Sequence, residues 1–438
     1  HNFRRFTDVA MADFDDAQIE NFITNWFRSE PQTGQDCWQK LNNEENKAAK
    51  ELTQSPLLLT LVCLLYQSSR KFPINRATLY EKALRVLLEE WAAFKEVKTH
   101  QEDLYKGLDT KRKEMMLSEI AHHAFQADRL FLPRREITNQ IEQLLKEMLP
   151  DEKFIDGTAV LKSIEVQHGV LVERAEGIYS FSHLTLQEYL TAQYIDDHRQ
   201  IETLVTEHLT DRRWQEVFLL VAGLMRGGAD DLLLLMEKEA QKYINTPKLQ
   251  ALLRWAEQVT AGSESDLKPV AKRAIANANA NTIAYANAYA IADVLAYAIA
   301  YTIANANAVA IAYANADANA ETIADVITYT RELEELKVFK GINFTVLIAR
   351  MEALKAKVPD DKQPEVVHRA FAEQILQTLL QAFRLNPELV NLSEEEAEAW
   401  KNYLYANYLM MQCKEAAVRV SPKTWAEIEE RMLLVPDN

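Results

Sequence analysis

Residues 169–192 read GVLVERAEGIYSFSHLTLQEYLTA, and this stretch decides the fold of the chain. Two short alternating runs, Gly169–Arg174 and Ile178–Ser182, flank the turn Ala175-Glu176-Gly177. Runs of this length around a glycine-containing turn predict a β-hairpin. From His183 to Asp196 the apolar residues return at helical spacing, which predicts that a helix begins directly after the hairpin.

Three helical segments precede the hairpin, at Lys111–Gln126, Arg134–Leu149 and Asp156–Gln167. Their apolar residues recur at the spacing of one helix face, and Pro133 stands where the second segment begins. Three helices followed by a hairpin is the element order of a winged helix. The sequence therefore predicts a winged-helix domain in the middle of the chain.

The rest of the chain is predicted to be helical, because 10 glycines and 12 prolines in 438 residues leave few turns. Near the beginning, the patterns predict a short strand over Phe6–Met11 and a loop over Pro31–Asp36. The segment Leu57–Tyr66 follows Pro56 and is apolar on most faces, so other helices must surround it. A long amphipathic helix is predicted over Arg76–Lys95.

The tail, residues 331–438, is predicted to be helical as well. Ser393 precedes three glutamates, Glu394 to Glu396, and a cap followed by acidic residues is typical of the first turn of a helix.

Between Ala274 and Thr330 the sequence is a low-complexity repeat in which alternate positions are nearly all alanine. A shift of 28 residues aligns Ile275 with Ile303 and Ile283 with Ile311. Alanine is the best helix former and is depleted in strands, which favours stacked helical hairpins. Strict alternation also fits a β-solenoid, and this alternative stays open. An array of this kind predicts an extended binding face.

The overall composition excludes several classes of protein. A formal net charge of −16 argues against nonspecific binding of nucleic acid or anionic membranes, which requires basic surface. The longest apolar stretch, Pro56–Tyr66, is too short to span a bilayer, and the first residues lack the apolar stretch of a signal peptide. Three cysteines that lie far apart, Cys37, Cys63 and Cys413, fit a reducing compartment, so a cytoplasmic location is expected.

No catalytic motif is present in this chain. The sequence contains no G-x-x-x-x-G-K-[S/T] phosphate loop, no H-E-x-x-H, no paired C-x-x-C and no G-x-S-x-G. The adjacent His122 and His123 diverge by about 100° on a helix, so they cannot chelate a metal together and are interpreted as structural. Catalysis by this chain alone is therefore not expected.

The stretch around His183 resembles a signature of NACHT and related STAND signalling NTPases. That signature reads F-x-H-x-T-x-Q-E-[YF]-x-A-A and follows the hairpin of their winged helix; here Thr191 replaces its first alanine. Residues 52–61, LTQSPLLLTL, resemble the proline motif of the family's helical domain. Residues 5–14 look like the last strand of the nucleotide-binding domain in cyanobacterial-type NACHT proteins. The tail around Trp400 and Trp425 resembles their C-terminal helical modules.

The resemblance implies a nucleotide-dependent switch. In such proteins ADP lies between the nucleotide-binding domain and the winged helix and holds a closed state, and exchange for ATP releases an open, oligomerising state. By this resemblance His183 would contact the β-phosphate of ADP and Pro56 would pack near the base and sugar. Because the segments that bind triphosphate and magnesium are absent, ADP or ATP is expected only in an intact parent protein, and no cofactor is expected for this chain alone.

An ordinary structural explanation stands beside each of these roles. His183 lies at a strand–helix junction, where a histidine can simply cap the helix. Pro56 is explained by helix initiation. Gln187 and Glu188 can support the same junction.

The fold class is thus mainly α, with a helical domain, a winged helix with a β-hairpin, and a helical C-terminal region with an Ala-rich repeat array. The predicted domains are residues 1–30 as the end of a nucleotide-binding domain, 31–108 as a helical domain, 109–200 as the winged helix, 201–265 as a helical linker domain, 270–330 as the 28-residue repeats and 331–438 as a C-terminal helical domain.

The expected function is that of the regulatory and sensor portion of an ATP/ADP-switched NACHT NTPase in signal transduction, in prokaryotic defence. The expected partners are an N-terminal nucleotide-binding domain and a protein ligand, or further copies of the chain, at the helical and repeat region. Two alternatives are a helical repeat scaffold for protein partners and a winged-helix nucleic-acid binder. The reading helix of the latter, Asp156–Gln167, sets Lys162 against Asp156 and Glu165, a poor surface for DNA.

Overall fold

The computed structural model describes residues 14–43, 46–54, 56–73, 75–90, 108–152, 155–284, 320–360 and 362–436. Over these residues the chain is mainly α-helical with one small three-stranded sheet, which confirms the predicted fold class. The described residues form two compact units. None of their helices combines the length and the apolar character that a membrane crossing needs.

The first unit comprises the described residues through Ile201, together with Arg213–Ala229 and Glu415–Arg419. Its elements in chain order are α1 (Asp16–Trp26), α2 (Pro31–Leu41), α3 (Lys47–Leu52), α4 (Pro56–Ser69), α5 (Arg76–Arg85), α6 (Thr110–Gln126), β1 (Leu132–Pro133), α7 (Arg134–Met148), α8 (Gly157–Gln167), β2 (Leu171–Ala175), β3 (Ile178–Phe181), α9 (Leu184–Asp197) and, after an excursion into the second unit, α11 (Gln215–Leu224).

Helix α4 is the centre of the N-terminal helices. It packs against α1, α2, α3 and α5, as the apolar character of its faces predicts. The predicted loop over Pro31–Asp36 is wrong, because α2 already begins at Pro31. Proline is compatible with the first turn of a helix, where its missing N–H has no intrahelical acceptor to lose. The predicted strand over Phe6–Met11 lies outside the described residues.

Helix α5 differs from its prediction at the C-terminal end. The regular helix ends at Arg85 and continues as one π-helical turn over Val86–Glu90, whereas the sequence pattern predicts α-helix through Lys95. Residues 91–107 lie outside the described part. A widened turn keeps the apolar side chains of Val86, Leu87 and Leu88 buried, so an apolar pattern alone does not reveal it.

The winged helix has the predicted three helices and hairpin, with one addition. Strands β2 and β3 pair antiparallel, Leu171 facing Phe181, and both of these side chains are buried. Strand β1 pairs with the other edge of β3, so the sheet order is β1-β3-β2. The sequence does not predict β1, because a strand of two residues is too short to show alternation.

The start of α8 is a close contact between two helices. Asp156 caps α8, and its carboxylate accepts from the backbone N–H groups of Thr158 and Ala159 at 2.9 and 3.1 Å. A Cβ atom on Gly157 would lie 2.5 Å from the carbonyl oxygen of Thr138 and 2.8 Å from Cγ of Glu142, both on α7. Glycine is therefore required for α7 and α8 to pack at this distance.

We expect Gly157→Ala to lower the stability of the winged helix by about 1–3 kcal/mol, because the added methyl group must push a backbone carbonyl away. Native-state hydrogen exchange of the α7 and α8 amides measures this local stability. Gly227→Ala is the matched control, since no atom lies within 4 Å of its added Cβ. Equal exchange in both variants would show that α7 can shift at no cost.

Helix α9 packs along α6 and α11 and also contacts α5. Its buried side chains include three polar ones, Gln187, Glu188 and Thr191, among apolar neighbours. The helix that follows the hairpin is therefore almost wholly enclosed.

The second unit comprises Glu202–Arg212 and the described parts of Asp230–Lys414 and Val420–Asn438. Its helices are α10 (Ile201–His208), α12 (Asp230–Gln241), α13 (Pro247–Thr260), α14 (Pro269–Ala284), α15 (Ala320–Leu336), α16 (Phe344–Lys355), α17 (Glu365–Ala382), α18 (Pro387–Val390), α19 (Glu394–Ala416) and α20 (Pro422–Arg431).

Helix α19 begins as predicted. The Ser393 hydroxyl accepts from the N–H of Glu396 at 3.2 Å, and the Glu396 carboxylate accepts from the N–H of Ser393 at 3.0 Å. These two reciprocal bonds form a capping box. The core of this unit holds Trp400 at 1% exposure, and Trp255 donates from Nε1 to the carbonyl oxygen of Phe383 at 3.1 Å.

The Ala-rich repeat is described only at its two ends. Residues 274–284 lie in α14, and residues 320–330 lie in α15. Both ends are helical, which favours helices over a β-solenoid there. Residues 285–319 lie outside the described part.

Candidate functional site

His183 lies between the winged-helix sheet and α9. It follows β3 by two residues and is the N-cap of α9, with extended backbone angles of −143° and 141°. Its Nδ1 accepts the backbone N–H of Thr185 at 3.3 Å, and the Thr185 hydroxyl oxygen lies 2.7 Å from the same nitrogen. The capping explanation from the sequence is therefore confirmed, and the half-buried imidazole is held in one orientation.

The next residues of the signature point into the core. Gln187 is 2% exposed and Glu188 is 8% exposed. Within the described part of the chain, Nε2 of Gln187 and Oγ1 of Thr191 are buried without a hydrogen-bond partner. A buried polar atom without a partner costs free energy, so these two atoms do not stabilise the junction.

Glu188, which is buried, belongs to a partly buried charged cluster that joins three helices. Arg76 at the start of α5 pairs with Glu216 in the first turn of α11, with Nη1 and Oε2 2.6 Å apart. The pKa of Glu188 is raised to about 7, mainly by burial and secondly by the charge of Glu216, while Arg76 opposes the rise. Burial also raises the pKa of Glu216, again against Arg76. The guanidinium of Arg76 thus offsets the charge of two carboxyl groups in a poorly solvated environment.

Tyr80 connects α5 to the same junction. Its ring stacks on Tyr189 of α9, with centroids 5.8 Å apart and planes 22° from parallel. Burial raises the pKa of Tyr80 above its usual range, and the Thr185 side chain opposes the rise. Helix α5 therefore contacts the signature at Tyr189.

Pro56 is the first residue of α4 and is exposed. Its carbonyl oxygen accepts from the Thr60 hydroxyl at 2.9 Å. This position fits helix initiation, and it leaves the pyrrolidine ring accessible. Pro56 and His183 lie on different elements, and their connection in the fold runs through α5, which packs against both α4 and α9.

His122 and His123 are placed against an aromatic side chain. His122 stacks on Tyr194 at 4.2 Å between centroids, and Tyr194 stacks on His198 at 4.0 Å. This arrangement accounts for the pair as structural side chains of α6. The described residues include no group of three or more side chains that could hold a metal ion.

The cations of α8 and of the β-hairpin, together with Arg134 at the start of α7, are bonded within the domain. Lys162 on α8 pairs with Glu165 at 3.0 Å, and Arg134 pairs with Glu173 of β2. Arg174 donates to the Ser180 hydroxyl at 2.9 Å and to the Ser182 carbonyl at 3.1 Å. A helix and a wing whose cations are already paired are poorly suited to binding a phosphate backbone.

Arg76, Tyr80 and Glu216 were missed by sequence reasoning. Glu216 carried a usable signal, because it is the one ionisable residue in QEVFLLVAGL, the sequence of α11. A lone carboxylate in an apolar helix calls for a buried partner. Arg76 and Tyr80 carried none, since both fit the pattern of an ordinary amphipathic helix.

Two family models match the chain. The model described as winged helix-turn-helix domain C-terminal to NACHT matches residues 76–195. The model described as NACHT C-terminal Helical domain 2 matches residues 347–435. The first match begins at Arg76 and ends within α9. It therefore includes the strand–helix junction at His183 and the charged cluster around Glu188, except for Glu216. No curated protein matches the chain.

Proposed function

The chain carries the winged-helix domain and the second C-terminal helical domain of NACHT proteins, and from this premise we propose that it is the regulatory and sensor portion of an ATP/ADP-switched signalling NTPase. In this proposal a NACHT nucleotide-binding domain precedes the chain. ADP lies between that domain and the winged helix, and His183 contacts its β-phosphate.

The observation that carries the proposal is the position of His183. It stands at the N-terminus of α9, half-buried, with its Nδ1 side held by Thr185. A nitrogen donor at the positive end of a helix dipole favours an anionic group nearby. The N-cap role occupies one edge of the ring, and the phosphate role would use the other edge.

The position of α9 supports a switch. It packs on α6 of the winged helix, on α5 and on α11. A displacement of its N-terminus would therefore change its packing against all three helices. A ligand that touches His183 in one arrangement of the domains and not in another shifts the population toward the first. ADP would thereby favour the closed state, and exchange for ATP would favour an open, oligomerising state.

The remaining parts of the proposal concern partners. Pro56 packs near the base and sugar of the nucleotide, for which its exposure leaves room. The nucleotide-binding domain supplies the phosphate loop and the magnesium site, which this chain lacks. A protein ligand is sensed by the C-terminal helical and repeat region, in the cytoplasm of a prokaryote during defence.

We expect His183→Ala to weaken ADP binding about tenfold in a protein that carries this chain together with its NACHT nucleotide-binding domain. The reason is the loss of one hydrogen bond to a charged group, for which a tenfold effect corresponds to about 1.4 kcal/mol, the lower end of the usual range. Isothermal titration with ADP measures the affinity. The chain alone is expected to bind no ADP at the same concentrations.

His198→Ala is the matched control, because His198 is an exposed histidine at the opposite end of α9. Its removal should leave the ADP affinity unchanged. Unchanged ADP binding after His183→Ala would contradict the proposal and would leave a helical scaffold without a nucleotide role.

A further inference from the structure

Thr185 contacts His183 through both its backbone and its side chain. The backbone N–H of Thr185 lies 3.3 Å from Nδ1 of His183, and the hydroxyl oxygen lies 2.7 Å from it. A backbone N–H can only donate, so Nδ1 must offer its lone pair. A proton on Nδ1 would point at this N–H group and be repelled by it.

The hydroxyl group completes the same pattern. Its oxygen lies 2.7 Å from Nδ1, which is a hydrogen-bond distance. Because the backbone N–H already requires a lone pair on Nδ1, the hydroxyl must donate to this nitrogen as well. Both donors therefore favour a proton on Nε2.

We propose that Thr185 is a positioning residue that holds His183 in the neutral tautomer with the proton on Nε2. At Nε2 the histidine then offers an N–H donor and not a lone pair. A phosphate oxygen requires such a donor. That the ligand is a phosphate rests on the proposed function; the tautomer itself does not.

The Nε2–H tautomer has a consequence for specificity. A neutral imidazole with a proton on Nδ1 would offer a lone pair at Nε2, and a lone pair repels phosphate oxygens. The junction therefore selects an anionic acceptor over a hydrogen-bond donor at this edge of the ring. Thr185 controls this choice, although we assign it no contact with the ligand.

The test is nitrogen NMR of the full chain labelled with ¹⁵N-histidine at pH 8. His183 is assigned by the signal lost in His183→Gln. We expect the wild-type Nδ1 to show the chemical shift of an unprotonated nitrogen and Nε2 that of a protonated one. A wild-type spectrum with the proton on Nδ1 would overturn the proposal whatever the variants do.

Two variants then assign the effect to the hydroxyl. Thr185→Val keeps the shape and the backbone N–H but removes the hydroxyl, and we expect the fraction of the Nδ1–H tautomer to rise severalfold. Thr185→Ser keeps the hydroxyl and should retain the wild-type spectrum. An unchanged spectrum in Thr185→Val, with helix content equal to that of Thr185→Ser, would overturn the role of the side chain.

ADP titration separates this inference from the proposed function. In a protein that carries the nucleotide-binding domain, Thr185→Val should weaken ADP about three- to tenfold, and Thr185→Ser should restore it. If the tautomer responds while ADP binding ignores His183, the proposed function fails and the positioning role stands. If ADP binding depends on His183 while the tautomer ignores Thr185, the positioning role alone fails.

Discussion

Arg76→Met is expected to destabilise the junction between α5, α9 and α11 by about 2–4 kcal/mol at pH 8, between the cost of breaking an exposed ion pair and that of breaking a fully buried one. Arg76 is the cation that faces both Glu188 and Glu216. Its Nη1 lies 2.6 Å from Oε2 of Glu216, and the two side chains are 20% and 22% exposed. Without the guanidinium, two carboxylates are left in a desolvated place with no opposite charge to offset them.

The loss of stability expected for Arg76→Met becomes smaller as the pH falls. Burial already raises the pKa of both glutamates, and removal of Arg76 raises both further, since Arg76 is the influence that lowers them. As the pH falls, both carboxyl groups become protonated and the missing cation matters less. The destabilisation by Arg76→Met should therefore be largest at pH 8 and much smaller at pH 5.

Native-state hydrogen exchange of the α5, α9 and α11 amides is the appropriate measurement, because a chain with two compact units need not unfold in one step. Arg85→Met is the matched control on the same helix. Arg85 pairs with Glu81 at 3.8 Å, with side-chain exposures of 57% and 38%, and its loss should cost less than about 1 kcal/mol. Equal losses in the two variants would mean that Arg76 is an ordinary surface cation.

Glu188→Gln is expected to stabilise the same junction at pH 8 by up to about 3 kcal/mol and to have little effect at pH 5, since a tenfold change in proton affinity corresponds to about 1.4 kcal/mol. The folded-state pKa of Glu188 is raised from 4.5 to about 7, largely by burial. The folded chain therefore binds this proton more tightly than the unfolded chain does. The resulting stability is fully present below pH 4.5 and is lost as the pH rises toward 7.

Glutamine reproduces the neutral shape of the carboxyl group without its titration. The variant should thus flatten the pH dependence of α9 hydrogen exchange between pH 5 and pH 8, where the wild type loses protection. Glu176→Gln, in the exposed turn of the hairpin, is the control and should follow the wild type. Parallel pH profiles for wild type and Glu188→Gln would contradict a raised pKa at this position.

Much of the fold follows from local patterns. The hairpin shows alternation on both sides of a glycine turn, and Gly177 at φ +70° is the residue that the turn requires. The sequence of helix α8 contains both its cap, Asp156, and the spacing of its apolar face. The sequence of strand β1 contains no comparable pattern, since its two residues form a strand only by pairing with β3.

The junction could be predicted only in part. His183 and its successors belong to one signature, and the sequence placed them at the start of a helix as the structure does. Arg76 and Glu216 are 140 residues apart, so no local pattern brings them together. The return of Glu415–Arg419 to the first unit is likewise a property of the folded chain and leaves no mark on sequence spacing.

The most direct test of the nucleotide role is a structure of the ADP-bound protein that carries both this chain and its NACHT nucleotide-binding domain. We expect Nε2 of His183 to lie about 2.7–3.1 Å from an oxygen of the β-phosphate, with Nδ1 still held by Thr185. An ADP molecule bound by the nucleotide-binding domain, with the His183 imidazole beyond hydrogen-bond reach of every phosphate oxygen, would contradict the claim that His183 forms one wall of the nucleotide site.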